Sequence, residues 1–273
     1  RSVSAFLLNR SSDLEIINGA AGATIDASGN AKEFISLNGS TQYVKLAEGV
    51  YDASHFDVSA VTIKDVKITG LTGSVIKDNQ KTLLGTLTID NSVIEMPASN
   101  KQVIDFNGKG YVGNVVVSKS TIYSKGVNNG YFAQYGSRPN NFSEAYRANF
   151  KQLFDIQNST FVSIAKGQNF CNFSQKGTAN NGYTLKNNIF VDCGKNGQVI
   201  QGINSNQKST TPAWDVDGNV FNWGGADVSA AEADGTSASY VKNSIAGVVT
   251  FKDAANGDFN YNFAAAPGST VPA

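Results

Sequence analysis

The most regular feature of the chain is a repeated order of apolar and polar positions. Each copy reads apolar, polar, apolar, polar, then two small or polar residues, then an apolar pair. Six eight-residue copies begin at Val61, Leu87, Val115, Phe154, Tyr183 and Trp214, the first being the weakest. The alternating half predicts a β-strand with one buried face. Asn and Gly in the polar pair tolerate left-handed backbone angles, so each copy predicts a strand, a tight corner and a second strand.

The spacing of the copies predicts how they assemble. The fifth positions are Asp65, Asn91, Lys119, Asn158, Asn187 and Gly218, and they lie 26, 28, 39, 29 and 31 residues apart. Such intervals match the turns of a large β-solenoid, whose coils bury their inner faces against their neighbours. We therefore predict an all-β fold, a single-stranded right-handed parallel β-helix with terminal caps, in which corner Asn side chains hydrogen-bond from coil to coil. An antiparallel sandwich is the alternative, but its turns recur every 8 to 12 residues or so.

The flanking segments complete one structural domain. Residues 1–60 form an N-terminal cap or first coil, in which Phe34–Leu37 and Tyr43–Leu46 suggest a hairpin or a coil. Residues 61–223 form the coils, with an insertion at 125–151, and we expect Ile189 in their core. Residues 224–273 form a C-terminal coil and cap, in which Val248–Phe251 is a last strand and Gly257–Tyr261 folds over the final coil.

Composition and charge narrow the functional classes. The 22 basic and 22 acidic residues leave no basic surplus for gripping nucleic acid. No apolar stretch reaches the length of a membrane span, about 18 residues. Because the chain begins at Arg1, we expect an export signal, lipid anchor or upstream domain to precede it. Cys171 and Cys193 are either buried thiols, the interpretation that we favour, or one disulfide.

Three segments resemble a known group of proteins. They are residues 182–193, residues 218–223 and Gly257–Tyr261, and they are similar to coils of the pectate-lyase-like (pectin lyase-like fold) parallel β-helix proteins that Bacteroidetes export, among them uncharacterised domain families. The resemblance covers about residues 60 to 265. It implies an extracellular or cell-surface location, typically as an outer-membrane lipoprotein, with the periplasm as the alternative. It also implies a carbohydrate-related role, but it carries over no catalytic residue.

The longest interval contains the candidate ligand-binding residues. The 39-residue spacing exceeds its neighbours by about ten residues, within 125–151. Aromatic faces stack on sugar rings, and Arg pairs with uronate carboxylates in a bidentate manner. Loops on a rigid scaffold often carry such binding sites, although these aromatic residues could instead pack the insertion onto the helix wall. The candidates for glycan contact are Tyr131, Phe132, Tyr135, Arg138, Tyr146 and Arg147.

Evidence for catalysis is weaker, and the catalytic residues stay unknown. Elimination from a uronate needs a base and a group that stabilises negative charge; Arg138 and Arg147 are candidates, with Lys166, Lys176 and Lys186 as further ones. Hydrolysis needs two nearby carboxyl groups, and Asp215 and Asp217 would share one strand face.

No metal site or cofactor is predicted, because the carboxylates in successive coils do not form a stack that would hold calcium. The leading hypothesis is an exported protein that binds or presents polysaccharide at the cell surface. The alternatives are a polysaccharide lyase or glycoside hydrolase of the same fold, and a structural or adhesive stalk.

Overall fold

The structure, a computed structural model, describes residues 14–17, 23–29, 32–37, 44–47, 50–52, 58–79, 82–107, 111–135, 153–173, 182–197, 199, 213–222, 241–242 and 245–265. In these residues the chain winds as a right-handed parallel β-helix, and three parallel sheets surround one core. The fold predicted from the repeat is confirmed. None of the helices in these ranges is long and apolar enough to cross a membrane.

Each complete coil contributes one strand to each sheet; the sheets are named A, B and C in the order in which a coil enters them. Coil 1 contains β1 (Leu14–Ile17), β2 (Ala23–Asp26) and β3 (Ile35–Leu37), and the hairpin β4 (Val44–Ala47) and β5 (Val50–Asp52) follows it. Coil 2 contains β6 (Val58–Lys64), β7 (Val66–Thr69) and β8 (Ile76–Asp78). Coil 3 contains β9 (Leu83–Asp90), β10 (Val93–Met96) and β11 (Ile104–Phe106). Coil 4 contains β12 (Tyr111–Ser118), β13 (Thr121–Ser124) and β14 (Ala133–Tyr135), and coil 5 contains β15 (Leu153–Gln157), β16 (Thr160–Val162) and β17 (Cys171–Phe173).

The later coils have described strands in sheets A and B only. Coil 6 contains β18 (Gly182–Lys186), β19 (Ile189–Val191) and a 3₁₀ turn at Lys195–Gly197, and coil 7 contains β20 (Ala213–Asp217) and β21 (Val220–Asn222). Coil 8 contains β22 (Val241–Lys242) and β23 (Ile245–Asp253), after which a 3₁₀ turn at Ala254–Asn256 leads into β24 (Asp258–Ala265). The N-terminal segment differs from one of the two predictions made for it. Residues 35–37 form the sheet C strand of coil 1, parallel to β8, while the hairpin lies later, between β4 and β5.

The corner between sheets A and B lies where the repeat predicts it. The fifth residue of every copy has a positive φ, between 44° and 66°. Asn, Asp and Gly adopt this left-handed conformation at lower cost than other residues, and five of the six corner positions carry one of them. Lys119 is the exception, with a φ of 48°.

A buried ladder of side-chain hydrogen bonds joins the coils just beyond this corner. In the five copies after the first, it occupies the second polar position: Ser92, Ser120, Ser159, Asn188 and Asn219, all at most 2% exposed. The first copy has Val66 at this position. The backbone N–H groups of the first four donate to the side-chain oxygen of the next coil, as in Ser159 N to Asn188 Oδ1 at 3.0 Å and Asn188 N to Asn219 Oδ1 at 3.0 Å. The bonds Ser92 N to Ser120 Oγ at 3.1 Å and Ser120 N to Ser159 Oγ at 3.2 Å extend the ladder towards coil 3.

The ladder confirms that corner side chains bond from coil to coil, but it shifts the site by one residue. The side chains at the first polar position face solvent, where Asn91 Nδ2 donates to Asp65 Oδ1 at 2.6 Å. The inner groups are fully engaged: Asn188 Nδ2 also donates to the carbonyl of Ile156 at 2.8 Å, and Ser159 Oγ donates to the carbonyl of Gln157 at 2.8 Å. These hydrogen bonds stabilise the fold, because a buried polar group without a hydrogen-bond partner costs about 1–3 kcal/mol.

The core changes character along the axis. The inward column of sheet B is aliphatic in coils 2 to 4 and aromatic in coils 5 to 7, where Phe161, Phe190 and Phe221 stack with ring centroids 5.1 and 5.4 Å apart. Phe132 and Phe170 stack at 5.0 Å beside them. The aromatic residues of the later coils therefore serve mainly as packing.

Ile189 is not in this core, so that prediction is wrong. Phe190 points inward, at 1% exposure, and Ile189 faces outward, where it is partly buried. The left-handed corner thus shifts the alternation by one residue: odd positions of a copy face inward before it, and even positions face inward after it.

A C-terminal hairpin, β23–β24, covers that outer face of sheet B; we call it the strap. Its Val249, Phe251, Phe259 and Phe263 pack on an outward apolar cluster that consists of Val93, Tyr123, Val162, Ile189, Val191 and Val220. The ring of Phe259 meets that of Tyr123 edge-on at 4.7 Å. A strand of nine residues such as β23 spans about 30 Å, the height of roughly six coil spacings. This lateral packing differs from the predicted cap over the final coil.

The tip of the strap reaches back to the early coils. Gly257, with a φ of 85°, is placed so that a Cβ there would lie 3.5 Å from Lys67 Nζ and 3.7 Å from the Tyr123 hydroxyl. That hydroxyl donates to Glu95 Oε2 at 2.8 Å, and Lys125 Nζ lies 3.0 Å from the same oxygen. Burial, aided by the bond to Glu95 and its charge, raises the pKa of Tyr123, so the phenol stays protonated and keeps donating.

The ladder generates a stability prediction. Asn188→Ala should lower the free energy of unfolding by about 3 kcal/mol, because it removes the side-chain hydrogen bonds to the buried N–H of Ser159 and the carbonyl of Ile156. Asn188→Ser should lose less, because serine fills this position in coils 3 to 5 and its hydroxyl can accept from Ser159. Urea denaturation measures both. Asn114→Ala, on the outer face of sheet A, is the control and should stay within about 0.5 kcal/mol of the parent; equal losses for Asn114→Ala and Asn188→Ala would contradict the ladder.

The corner generates a second prediction. Gly218→Ala should destabilise the protein by about 1–2 kcal/mol, because Gly218 has a φ of 66° and Asn187 Oδ1 occupies the place of a new Cβ. Lys119→Asn should leave stability unchanged or raise it by a fraction of that amount, because Asn tolerates the same backbone angles. Thermal unfolding of the two variants separates them; a destabilising Lys119→Asn would show that the corner is not strained at that residue.

Candidate functional site

The outer face of sheet A is a regular surface formed by eight parallel strands. Alternate residues of its strands point into the core, and those between face solvent. Because the strands pair in register, outward residues of successive coils form columns along the axis, with about 4.8 Å between neighbours. One column is Thr62, Thr88, Val116, Asp155, Thr184 and Asp215; the other is Lys64, Asp90, Ser118, Gln157, Lys186 and Asp217.

Hydrogen bonds between neighbours hold many of these side chains. Ser118 Oγ donates to Asp90 Oδ1 at 2.6 Å, and Gln157 Nε2 donates to Asp155 Oδ1 at 2.6 Å. Asn114 Nδ2 donates to Thr86 Oγ1 at 3.3 Å at the start of the strands. Among the described outward side chains of this sheet none is aromatic, and most can form hydrogen bonds, Val116 and Leu153 being exceptions.

Charged groups concentrate at the C-terminal end of this face, around Lys186. Its Nζ lies 2.6 Å from Asp215 Oδ2. The hydrogen bond to Asp215 is the main cause that raises the pKa of Lys186; slight desolvation opposes it, and the charges of Asp215, Asp217 and Asp155 add to it. Lys186 is therefore held as an ammonium ion. It can donate hydrogen bonds to a ligand, but it is poorly suited to abstract a proton.

Asp215 and Asp217 occupy the same outer face, as their spacing predicts. Asp215 is exposed and engaged by Lys186, and Asp217 lies beside Lys186 in the paired register. Within the described residues, both lie on an open sheet face, without the apolar enclosure typical of a general acid in a glycosidase. Sequence reasoning named Lys186 only as a further candidate. Its role follows from the register, which sets it between the two strands that carry Asp155 and Asp215.

The predicted insertion begins later than the sequence suggests. Residues 125–135 belong to the regular coil: they form the turn from sheet B to sheet C and then β14, which pairs with β11 and β17. The extra length therefore falls between Tyr135 and Leu153, where the chain passes from sheet C to sheet A. Leu153, the first described residue after it, is 41% exposed at the margin of the outer face of sheet A.

The candidate glycan-contacting residues divide into three groups. Phe132 is 0% exposed and stacks in the core on Phe170, so its ring is not available to a ligand and that residue is withdrawn from the site. Tyr131 is partly buried beside sheet C. The backbone of Tyr135 ends β14, whereas the Tyr135 side chain and the residues Arg138, Tyr146 and Arg147 lie outside the described part of the chain.

The outer face of sheet C is a second, narrower polar wall. Lys77 Nζ lies 3.1 Å from Glu33 Oε1 and 4.0 Å from Asp105 Oδ2, and Gln102 Nε2 donates to Gln134 Oε1 at 2.8 Å. Partial burial opposes ionisation of Glu33, but its own backbone N–H and Lys77 outweigh this and lower the pKa of the carboxyl group. Within the described ranges, no three His, Cys, Asp or Glu side chains converge on a metal-sized site.

The two cysteines are unbonded thiols in the core, as favoured from the sequence. Burial raises the pKa of Cys171 well above its ordinary value. Burial, together with the nearby charge of Asp192, raises the pKa of Cys193 to about 12. Neither thiol is poised as a nucleophile.

The thiol environment gives a pH prediction. Both thiols should resist a chromogenic disulfide reagent in the native protein and react after unfolding. Above about pH 8.5 the unfolded chain releases thiol protons that the folded chain keeps, so this contribution to unfolding free energy should fall by about 1.4 kcal/mol per pH unit for each thiol. Cys193→Ala should make the alkaline decline shallower. An unchanged slope, or rapid native labelling, would contradict the buried environment.

Comparison with known proteins adds no assignment to this site. The chain matches no family model, no curated protein and no solved structure. Its relation to the pectate-lyase-like proteins of Bacteroidetes stays a prediction from the residues of its coils.

Proposed function

We propose that this protein is an exported, cell-surface β-helix protein that binds or presents polysaccharide on the outer face of sheet A. The observation that carries the proposal is the in-register array of two columns of outward side chains over coils 2 to 7, in which every residue but Val116 is polar or charged. A polysaccharide repeats its hydroxyl groups along its length, and this array repeats donors and acceptors along its axis. Five coil spacings give a contact length of about 24 Å.

Several weak contacts suit such a polymer. One hydrogen bond to a surface group contributes about 0.5–1.5 kcal/mol net, so a single sugar would bind poorly and an extended chain would gain from many coils at once. Several of the side chains, such as Ser118, Gln157 and Lys186, are already held by their neighbours, which reduces the entropy that binding must overcome. Arg138, Tyr146 and Arg147, which precede Leu153 in the sequence, remain candidate contacts for the glycan.

The charges of the face favour a neutral or amino-bearing glycan. Its two columns contain two lysines, Lys64 and Lys186, and four carboxylates, Asp90, Asp155, Asp215 and Asp217, which leaves a net charge of 2 − 4 = −2. A polyuronate would meet this surplus with like charge. The described face therefore differs from the uronate site that Arg138 and Arg147 suggest.

Catalysis on the same face is less well supported. A lyase needs a base, and the ammonium of Lys186 is stabilised by three carboxylates. A hydrolase needs an enclosed acid, and Asp215 is exposed. Recognition without turnover, with presentation at the surface, is the function that agrees best with these side chains.

A polysaccharide panel tests the proposal on the purified chain. We expect saturable binding of a neutral or amino-bearing polymer with no new reducing or unsaturated ends. Product formation that Asp215→Asn or Asp217→Asn abolishes would make the protein an enzyme. Absence of both binding and products would favour a structural or adhesive stalk.

A matched pair of variants locates the binding face. Gln157→Ala removes an outward amide from sheet A, and Gln134→Ala removes one from sheet C. Gln157→Ala should weaken binding about threefold to tenfold, as expected for one lost hydrogen bond, while Gln134→Ala should leave it unchanged. Both should melt at the parent temperature within a few degrees. An effect confined to Gln134→Ala would move the site to sheet C.

A further inference from the structure

The strap presents a strand edge that nothing in the described part of the chain covers. β24 pairs with β23 along one edge, from Asp258 to Ala265, and it is the last strand in the order of sheet B. Its other edge has no strand partner among the described residues. An uncovered edge offers a row of N–H and C=O groups to another strand.

This edge lacks the features that usually keep edges apart. Such features are lysines, prolines, inward charges and very short strands. β24 is eight residues long, and Asp258, at its first position, is its only charged residue. Tyr261 is 51% exposed and Val248, on the same hairpin, is 49% exposed; they are two of the four exposed large hydrophobic side chains among the described residues.

The edge is also held rigidly in place. Val249, on the strap strand β23, is 7% exposed, and Phe259 packs against Phe251 at 5.4 Å as well as against Tyr123. A partner strand would therefore add to a preformed template and would not have to order it first.

We propose that the free edge of β24 pairs with β24 of a second copy of this chain, antiparallel and about a two-fold axis. Antiparallel pairing about such an axis sets Asn262 opposite Asn262 of the second copy and Phe259 opposite Ala265, so Asp258, the one charged residue of the strand, does not face its counterpart. The chain has a net charge of zero, so no long-range repulsion opposes approach. The two hairpins would form one four-stranded antiparallel sheet that joins the sheet B walls of two solenoids, an isologous contact that closes on itself.

Sedimentation and light scattering of the full chain test this pairing. The mass should rise from 28.9 kDa towards twice that value as concentration increases. Asn262→Lys places a charge on the edge strand close to the two-fold axis, and it should weaken association by tenfold or more. Thr250→Lys is the matched control, since Thr250 lies directly across from Asn262 on the inner strand and is also exposed; it should dimerise like the parent.

Two results would overturn the proposal. One is a monomer at every concentration up to the solubility limit. The other is equal weakening by Thr250→Lys, which would place the contact on the face of the strap instead of its edge.

Cross-linking gives an independent readout that does not depend on affinity alone. Asn262→Cys should form an intermolecular disulfide under mild oxidation, while Thr250→Cys should not, and the buried native thiols should not interfere. Cross-linking of Thr250→Cys but not of Asn262→Cys would also contradict pairing through β24.

Discussion

Coil-to-coil registry at the corner between sheets A and B is the constraint on which the rest of this structure depends. A coil cannot bury its own inner face, so its stability comes from its neighbours. The left-handed residue at each corner turns the chain, and the Ser and Asn that follow it bond from one coil to the next inside the core. Because a slip by one residue would exchange the inner and outer faces, this buried ladder also aligns the outward columns of sheet A.

The registry has different consequences on the two walls. On sheet A it aligns mostly polar side chains that are partly or fully exposed, and these form the surface at which we propose that glycan binds. On sheet B it aligns Tyr123, Val162 and Val191, which are too apolar to remain exposed and which the strap covers. The same repeat thus produces an outer face on sheet A that contacts solvent and an outer face on sheet B that the strap covers. The aromatic residues of the later coils lie largely inside, where Phe161, Phe190 and Phe221 stack.

The parts of the structure that could be predicted from the sequence are those set by local chemistry. Asn, Asp and Gly at the corners follow from backbone angles, and alternation in the first strand follows from its pleat. The sequence does not show which residues face inward after the corner, because Ile189 and Phe190 are both apolar. Ile189 faces outward, and it is apolar because the strap covers it. The packing of Phe259 on Tyr123 joins residues far apart in sequence, and no local pattern encodes it. Likewise, the cluster around Lys186 depends on the register between coils. Phe132 was predicted to bind a ligand because it is aromatic, but the turn before β14 directs its ring into the core.

Hydrogen exchange of backbone amides, resolved to single residues, tests the central claim about registry most directly. The amides of Ser92, Ser120, Ser159 and Asn188 donate to buried side-chain oxygens, so they should exchange among the slowest in the protein and report its global unfolding. The amides of the strap should exchange faster, through local opening. Ladder amides that exchange as fast as those of β24 would contradict the account, because the corner would then be a solvent-open turn and not the axis along which the coils are held.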